Sequence, residues 1–155
     1  MSATLGVSVE GATAYLAVLD EDETVRAAPA KYQLPAGLPR PVAVLDAIET
    51  LVNMINDTGA SAVAVLDAQP NARPQSFAAA RKRTNLEFLF ELAAARAGVR
   101  FALLSPSTVA SRLVLPDKRP KSHVDLHLRP SGPHWTNRGP AGLAALAETR
   151  NEEWQ

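Results

Sequence analysis

Residues 61–66, Ser-Ala-Val-Ala-Val-Leu, are small or β-branched after a single polar position, and the run stops at an acid, Asp67. It is too short for a buried helix and lacks the alternation of a half-exposed strand, so it reads as a strand covered on both faces, as in sheets with parallel neighbours. A strand of that kind needs helices above and below it. The flanks supply them. Upstream, Val42, Leu45, Ile48, Leu51, Val52 and Ile55 recur at helical spacing until Gly59, and downstream a long helix is expected over residues 76–97 with Gly98 at its end. An acid closing such a strand is well placed for chemistry.

The remaining segments complete one mixed sheet. Leu5, Val7 and Val9 alternate with Gly6, Ser8 and Glu10, Gly11 punctuates, and Ala14, Leu16 and Val18 alternate again up to Asp20, which predicts a hairpin. The acidic residues 20–23 form its exposed tip; they lack the glycine and the spaced oxygens of a calcium loop. A third strand is expected from residue 24 toward Tyr32, weakened by Pro29. Residues 99–104 form a further strand, and Ser105-Pro106 is an N-cap and first-turn pair opening a short helix through Leu113. The expected architecture is α/β: three antiparallel strands plus two parallel ones, flanked by helices, with the strand ending at Asp67 in the centre. Residues 1–115 form the core. Residues 116–140 turn polar, basic and proline-rich and read as a connector or arm, and residues 141–155 carry an alanine-rich helix that packs back on the core.

Sixteen basic residues balance sixteen acidic ones, so any attraction to nucleic acid must come from a local patch. The absence of cysteine excludes disulfides, thiolate zinc sites and thiol nucleophiles. The first ten residues lack a signal-peptide pattern and no apolar stretch is long enough for a bilayer, which sets the expectation of a cytoplasmic protein without a membrane partner. No glycine-rich phosphate loop or nucleophile elbow is present.

Three local clusters remain. Arg81, Lys82 and Arg83, with Arg73 in the preceding loop, could contact phosphates; consecutive cations cannot share one helix face, so an ordinary solvated surface is the competing account. In the same helix Leu86, Leu89, Phe90, Ala93 and Ala97 form one apolar stripe, while Phe88, Leu92 and Ala95 form a second that meets either another helix or a second copy in a homodimer. His123, Asp125 and His127 alternate with apolar residues, which places three potential metal ligands on one face of an expected edge strand. Neighbours on one strand rarely converge on one ion, and no metal is expected there.

The order of elements resembles the RNase H-like fold, and the segments GVSVEG, AVAVLD and LLSPSTVASRL resemble the first strand, fourth strand and fifth strand with its serine–proline turn in Holliday-junction-resolvase-like proteins. The hairpin GVSVEGATAYLAVLDEDE is similar to that of short RNase H-like bacterial proteins. Active members gather acids from the first strand, the fourth strand and the last helix around two divalent cations, Mg or Mn. The resemblance implies that Asp67 keeps the fourth-strand acid, that Ser8 stands at the position of the first acid, and that Gly139 and Pro140 lie where the final acids are expected. Two dications need clustered carboxylates to offset their repulsion. The expectation is therefore a degenerate domain that binds nucleic acid or serves assembly, without a cofactor. A nuclease with Glu10 and Glu148 completing a rearranged site, or a protein-interaction module, are the alternatives.

Overall fold

The computed structural model describes residues 2–67 and 77–151. Its elements run β1 (Ala3–Glu10), β2 (Thr13–Leu19), β3 (Lys31–Gln33), α1 (Arg40–Thr58), β4 (Ala60–Leu66), α2 (Phe77–Ala97), β5 (Arg100–Leu104), α3 (Pro106–Leu113) and α4 (Trp135–Thr149). The five strands form one sheet in the order β3-β2-β1-β4-β5, with the hairpin pairs antiparallel and β1, β4 and β5 mutually parallel. Val63 and Val65 are fully buried, as a strand covered on both faces requires. The middle of the sheet is β1 rather than the strand ending at Asp67. The hairpin and the parallel crossover both attach to the first strand, which pushes β4 one place outward.

Local signals position the helices. Gly59 and Gly98 take left-handed φ values of 72° and 74°, where a side chain would be strained, and end α1 and α2. The Ser105 hydroxyl accepts from the Thr108 N–H at 3.1 Å and starts α3. On one face of the sheet α1 and α2 cover Leu5, Val7, Val9, Val63 and Val65; on the other α4 covers Ala17, Ala64 and Leu66. No helix among the described residues is long and apolar enough to cross a membrane.

Three expectations are corrected. In α1 the buried line is Ala43, Ala47, Leu51 and Ile55, while Val42 and Leu45 are exposed, because the helix docks through the small alanines that let its backbone approach. The expected third strand near Val25 is reduced to a single bridge between Val25 and Leu19, and the pairing strand follows Pro29, which cannot donate to a ladder. Residues 123–127 form no edge strand. Pro120 opens two single-turn 3-10 helices, Pro120–Ser122 and Val124–Leu126, that run over α4.

The last helix begins at Trp135, before Gly139 and Pro140, and residues 138–148 are buried all round, between the sheet, α3 and the 3-10 segment. Gly6 makes this possible. A Cβ there would lie 1.8 Å from the Ala141 carbonyl oxygen, so α4 rests on β1 backbone to backbone.

Candidate functional site

The parallel strands β1 and β4 end side by side, with Ser8 paired to Leu66 in the register. Loops and helix starts gather at this C-terminal edge, where sites in α/β sheets are commonly built. Strand alternation decides which face each side chain meets. Leu5, Val7 and Val9 belong to the core under α1 and α2, so Thr4, Gly6, Ser8 and Glu10 face α4. Ser8 is 3% exposed. Across the hairpin it pairs with Tyr15, whose ring lies 6.2 Å from that of His134, the residue preceding α4.

Glu10 shares the Ser8 face and is tied to Lys121 by an ion pair. On α4, apolar neighbours fill the space at Gly139, where an acid is expected, and at Gly142 farther along the helix. A Cβ on Gly139 would lie 2.6 Å from a Val124 methyl carbon, and one on Gly142 would lie 2.7 Å from a Leu128 methyl carbon. Glu148 lies at the other end of α4, where the adjacent Thr149 hydroxyl meets that of Thr4 at the start of β1. It is buried, and Arg112 of α3 is 3.5 Å from it. The structure therefore does not bring Glu148 to Ser8 and Glu10.

Asp67 continues the ladder one step beyond β4, its N–H donating to the Leu104 carbonyl at 2.7 Å. Val63 and Val65 face α1 and α2 while Ala64 and Leu66 face α4, so the alternation carries Asp67 toward the α2 side. Its charge is felt there by Glu87. Burial first, and the Asp67 carboxylate second, push the Glu87 carboxyl up to about 7, against the lowering influence of Arg83. Glu87 is a residue the sequence reading missed. The available signal was an acid bordering the buried Leu86 and Phe90, one helical turn after Arg83.

Of the basic set, Arg81 and Lys82 are exposed and Arg83 is half-buried; Arg73 lies outside the described residues. Phe88 and Leu92 are 55% and 37% exposed, on the outer side of α2, while Leu86, Leu89, Phe90 and Ala93 are buried. His123 pairs with Asp117 at 3.0 Å instead of converging with Asp125 and His127. The His123 and Arg119 hydrogen bonds hold the half-buried Asp117 carboxyl down at about 2.

A pair of divalent cations, as the fold family implies, does not fit these donors. The Ser8 hydroxyl brings no charge, Glu10 is engaged by Lys121, Asp67 is turned toward Glu87, and Gly139 and Gly142 are packed by Val124 and Leu128. Among the described residues no three His, Asp or Glu side chains are placed to hold a metal ion. The segment 68–76 contains no acid.

Arg138 was also missed. It is fully buried with no carboxylate partner among the described residues, and its guanidinium donates to the carbonyls of Leu16 (2.7 Å), Arg26 (2.7 Å), Pro133 (3.2 Å) and Ser131. Desolvation lowers its pKa. The signal was a lone arginine just ahead of the alanine-rich apolar run 141–147 of α4.

Among solved structures, Holliday junction resolvases share this fold. The chain superposes on Thermus thermophilus RuvC in complex with a Holliday junction substrate with a TM-score of 0.72 at 17% identity, covering 99% of this chain and 96% of that one. A second T. thermophilus RuvC structure gives 0.71 at 17% identity over 98% and 96%. The yeast mitochondrial Holliday junction resolvase Ydc2 gives 0.60 at 14% identity over 96% of this chain and 78% of that one. No protein-family model and no curated protein sequence matches the chain. The fold is thus RNase H-like, in the arrangement of the Holliday junction resolvases.

Proposed function

We propose that the chain is an RNase H-like module that binds nucleic acid in the cytoplasm without cleaving it through a two-metal centre. Fold alone does not carry an activity; the site must. The observation that carries the reading is Ser8, a buried neutral hydroxyl at the position of the first acid, with α4 presenting glycines packed by Val124 and Leu128 beside it. A hydroxyl cannot replace an anionic ligand that bridges two dications. Exposed Arg81 and Lys82 stand on the helix that follows β4, and exposed Lys118 lies on the segment that reaches Glu10; both surfaces suit a phosphate backbone.

Fluorescence anisotropy with four-way junctions, duplexes and single strands tests the binding half. Affinity should fall with salt, and Arg81→Ala with Lys82→Ala should lower the slope of log K against log salt by about one for each phosphate no longer neutralised. Arg73→Ala extends the series. For catalysis, protein with Mg or Mn should release no more product than the Asp67→Asn variant. Robust cleavage abolished by Asp67→Asn and by Glu10→Gln would establish the nuclease alternative instead.

A second reading, a homodimer, is favoured by the exposure of Phe88 and Leu92 on one side of α2. Phe88→Asp should turn a dimer into a monomer in light scattering, and a wild-type monomer at high micromolar concentration would end that reading.

A further inference from the structure

The segment between α3 and α4 is held in two different ways. Its second half is anchored in the interior. Leu128 is buried against Gly142, the Ser131 hydroxyl donates to the Val25 carbonyl at 2.8 Å, and the Arg138 guanidinium grips the carbonyls of Ser131 and Pro133. Gly132 fits so closely that a Cβ would lie 2.7 Å from the Ala27 carbonyl oxygen, at a φ of 75°.

The first half, residues 116–127, is held more lightly, by the buried ring of Pro120 and by Val124, which packs partly buried against the α4 side of the core. It consists of the two single-turn 3-10 helices, the second without a buried residue, and Leu126 is 58% exposed. Asp117 holds Arg119 and His123 within the segment itself. Among the described residues, the ion pair from this half to the sheet is Lys121 to Glu10. That pair sits at the end of β1 that carries Ser8, and beside it Val124 rests in the notch left by Gly139 on the first turns of α4. Short 3-10 turns with few buried apolar contacts are the parts of a fold that open at low free energy.

We propose that the Lys121–Glu10 ion pair is an electrostatic latch that keeps residues 116–127 closed over the Ser8 face of β1 and α4, and that a phosphate backbone releases it by taking Lys121 from Glu10. The second clause rests on the nucleic-acid reading above; the latch does not. An exposed pair is weak and weakens further with salt, so it can bias a local opening without holding the fold. When it breaks, the segment pivots on the Leu128 and Arg138 anchor, Val124 leaves Gly139, and the Ser8 face is uncovered. Lys121 and the neighbouring Lys118 are then free for phosphates.

Hydrogen exchange read by mass spectrometry on the full chain tests this. Peptides covering residues 116–127 should exchange about twofold to fivefold faster in Glu10→Gln and in Lys121→Gln, and faster in the wild type at 0.5 M than at 0.05 M salt, while residues 138–148 stay unchanged. The charge swap Glu10→Lys with Lys121→Glu should restore slow exchange. Unchanged exchange in the single variants, or a swap that fails to restore it, overturns the latch. A duplex of ~20 base pairs at low salt should speed residues 116–127 in the wild type and add nothing in Glu10→Gln. Anisotropy on the same samples separates the two failures: a duplex that binds without changing the exchange overturns the release mechanism, whereas a duplex that does not bind overturns the nucleic-acid reading and leaves the salt and variant results to decide the latch.

Discussion

The two faces of the sheet are packed by opposite means. Under α1 and α2 the strands present Leu5, Val7, Val9, Val63 and Val65 to large partners such as Leu51, Leu86 and Phe90. Under α4 they present Gly6, Ala17 and Ala64 to Ala141, Ala144 and Ala145, and backbone nearly touches backbone. One face gains its stability from bulk, the other from closeness. The candidate site residues are divided between them: Ser8 and Glu10 belong to the close-packed face, while Asp67 acts on Glu87 at the bulky one. A gathered carboxylate site would need both sets on one side.

If the faces differ in this way, opposite substitutions should damage them. Phe90→Ala on the bulky face should cost about 3–5 kcal/mol, from reduced burial and the cavity left behind. On the close face the damaging change is an addition. Gly6→Ala should cost about 3 kcal/mol by driving a methyl into the Ala141 carbonyl, whereas a merely permissive glycine would lose a few tenths. Urea unfolding monitored by circular dichroism reads both, and a neutral Gly6→Ala would break the comparison.

Arg138→Met probes the close face at its margin. It removes the donors from four carbonyls and should cost about 2–3 kcal/mol, with residues 128–134 gaining fast hydrogen exchange. If only global stability fell while that segment stayed protected, Arg138 would not be the anchor.

The smallest effect belongs to Glu87. Its carboxyl titrates at about 7 in the folded chain against an ordinary 4.5, so between these values the folded state binds more protons than the unfolded one. The stability linked to this group is complete below pH 4.5 and is lost as pH rises through 7. Glu87→Gln should therefore raise the melting temperature at pH 8 and leave it unchanged at pH 4. Asp67→Asn should shift this loss of stability to lower pH without abolishing it, since burial is the larger cause. A Glu87→Gln variant with the wild-type pH profile would sink the pairing of Asp67 with Glu87.

Much of this molecule was legible from local pattern. Alternation in residues 4–10 and the apolar run 61–66 mark β1 and β4, and Gly59, Gly98 and Ser105-Pro106 mark helix ends, because strand alternation, positive φ and capping are decided within a few residues. That position 8 carries a neutral hydroxyl and not an acid is likewise a matter of sequence. Tertiary structure decided what neighbouring residues cannot. Gly139 and Pro140 look like helix breakers, yet α4 runs through them because its burial on every side outweighs their local cost. The histidines at 123 and 127 alternate as in a strand, but the backbone there closes into two single-turn 3-10 helices packed on α4. Asp67, Glu87, Glu10 and Lys121 are distant in sequence, and only the parity of β4 and the path of residues 116–134 pair them as they are. Element identity is a short-range property of the chain; which side chains share a face, and what covers them, depends on contacts that exist only once the sheet is formed.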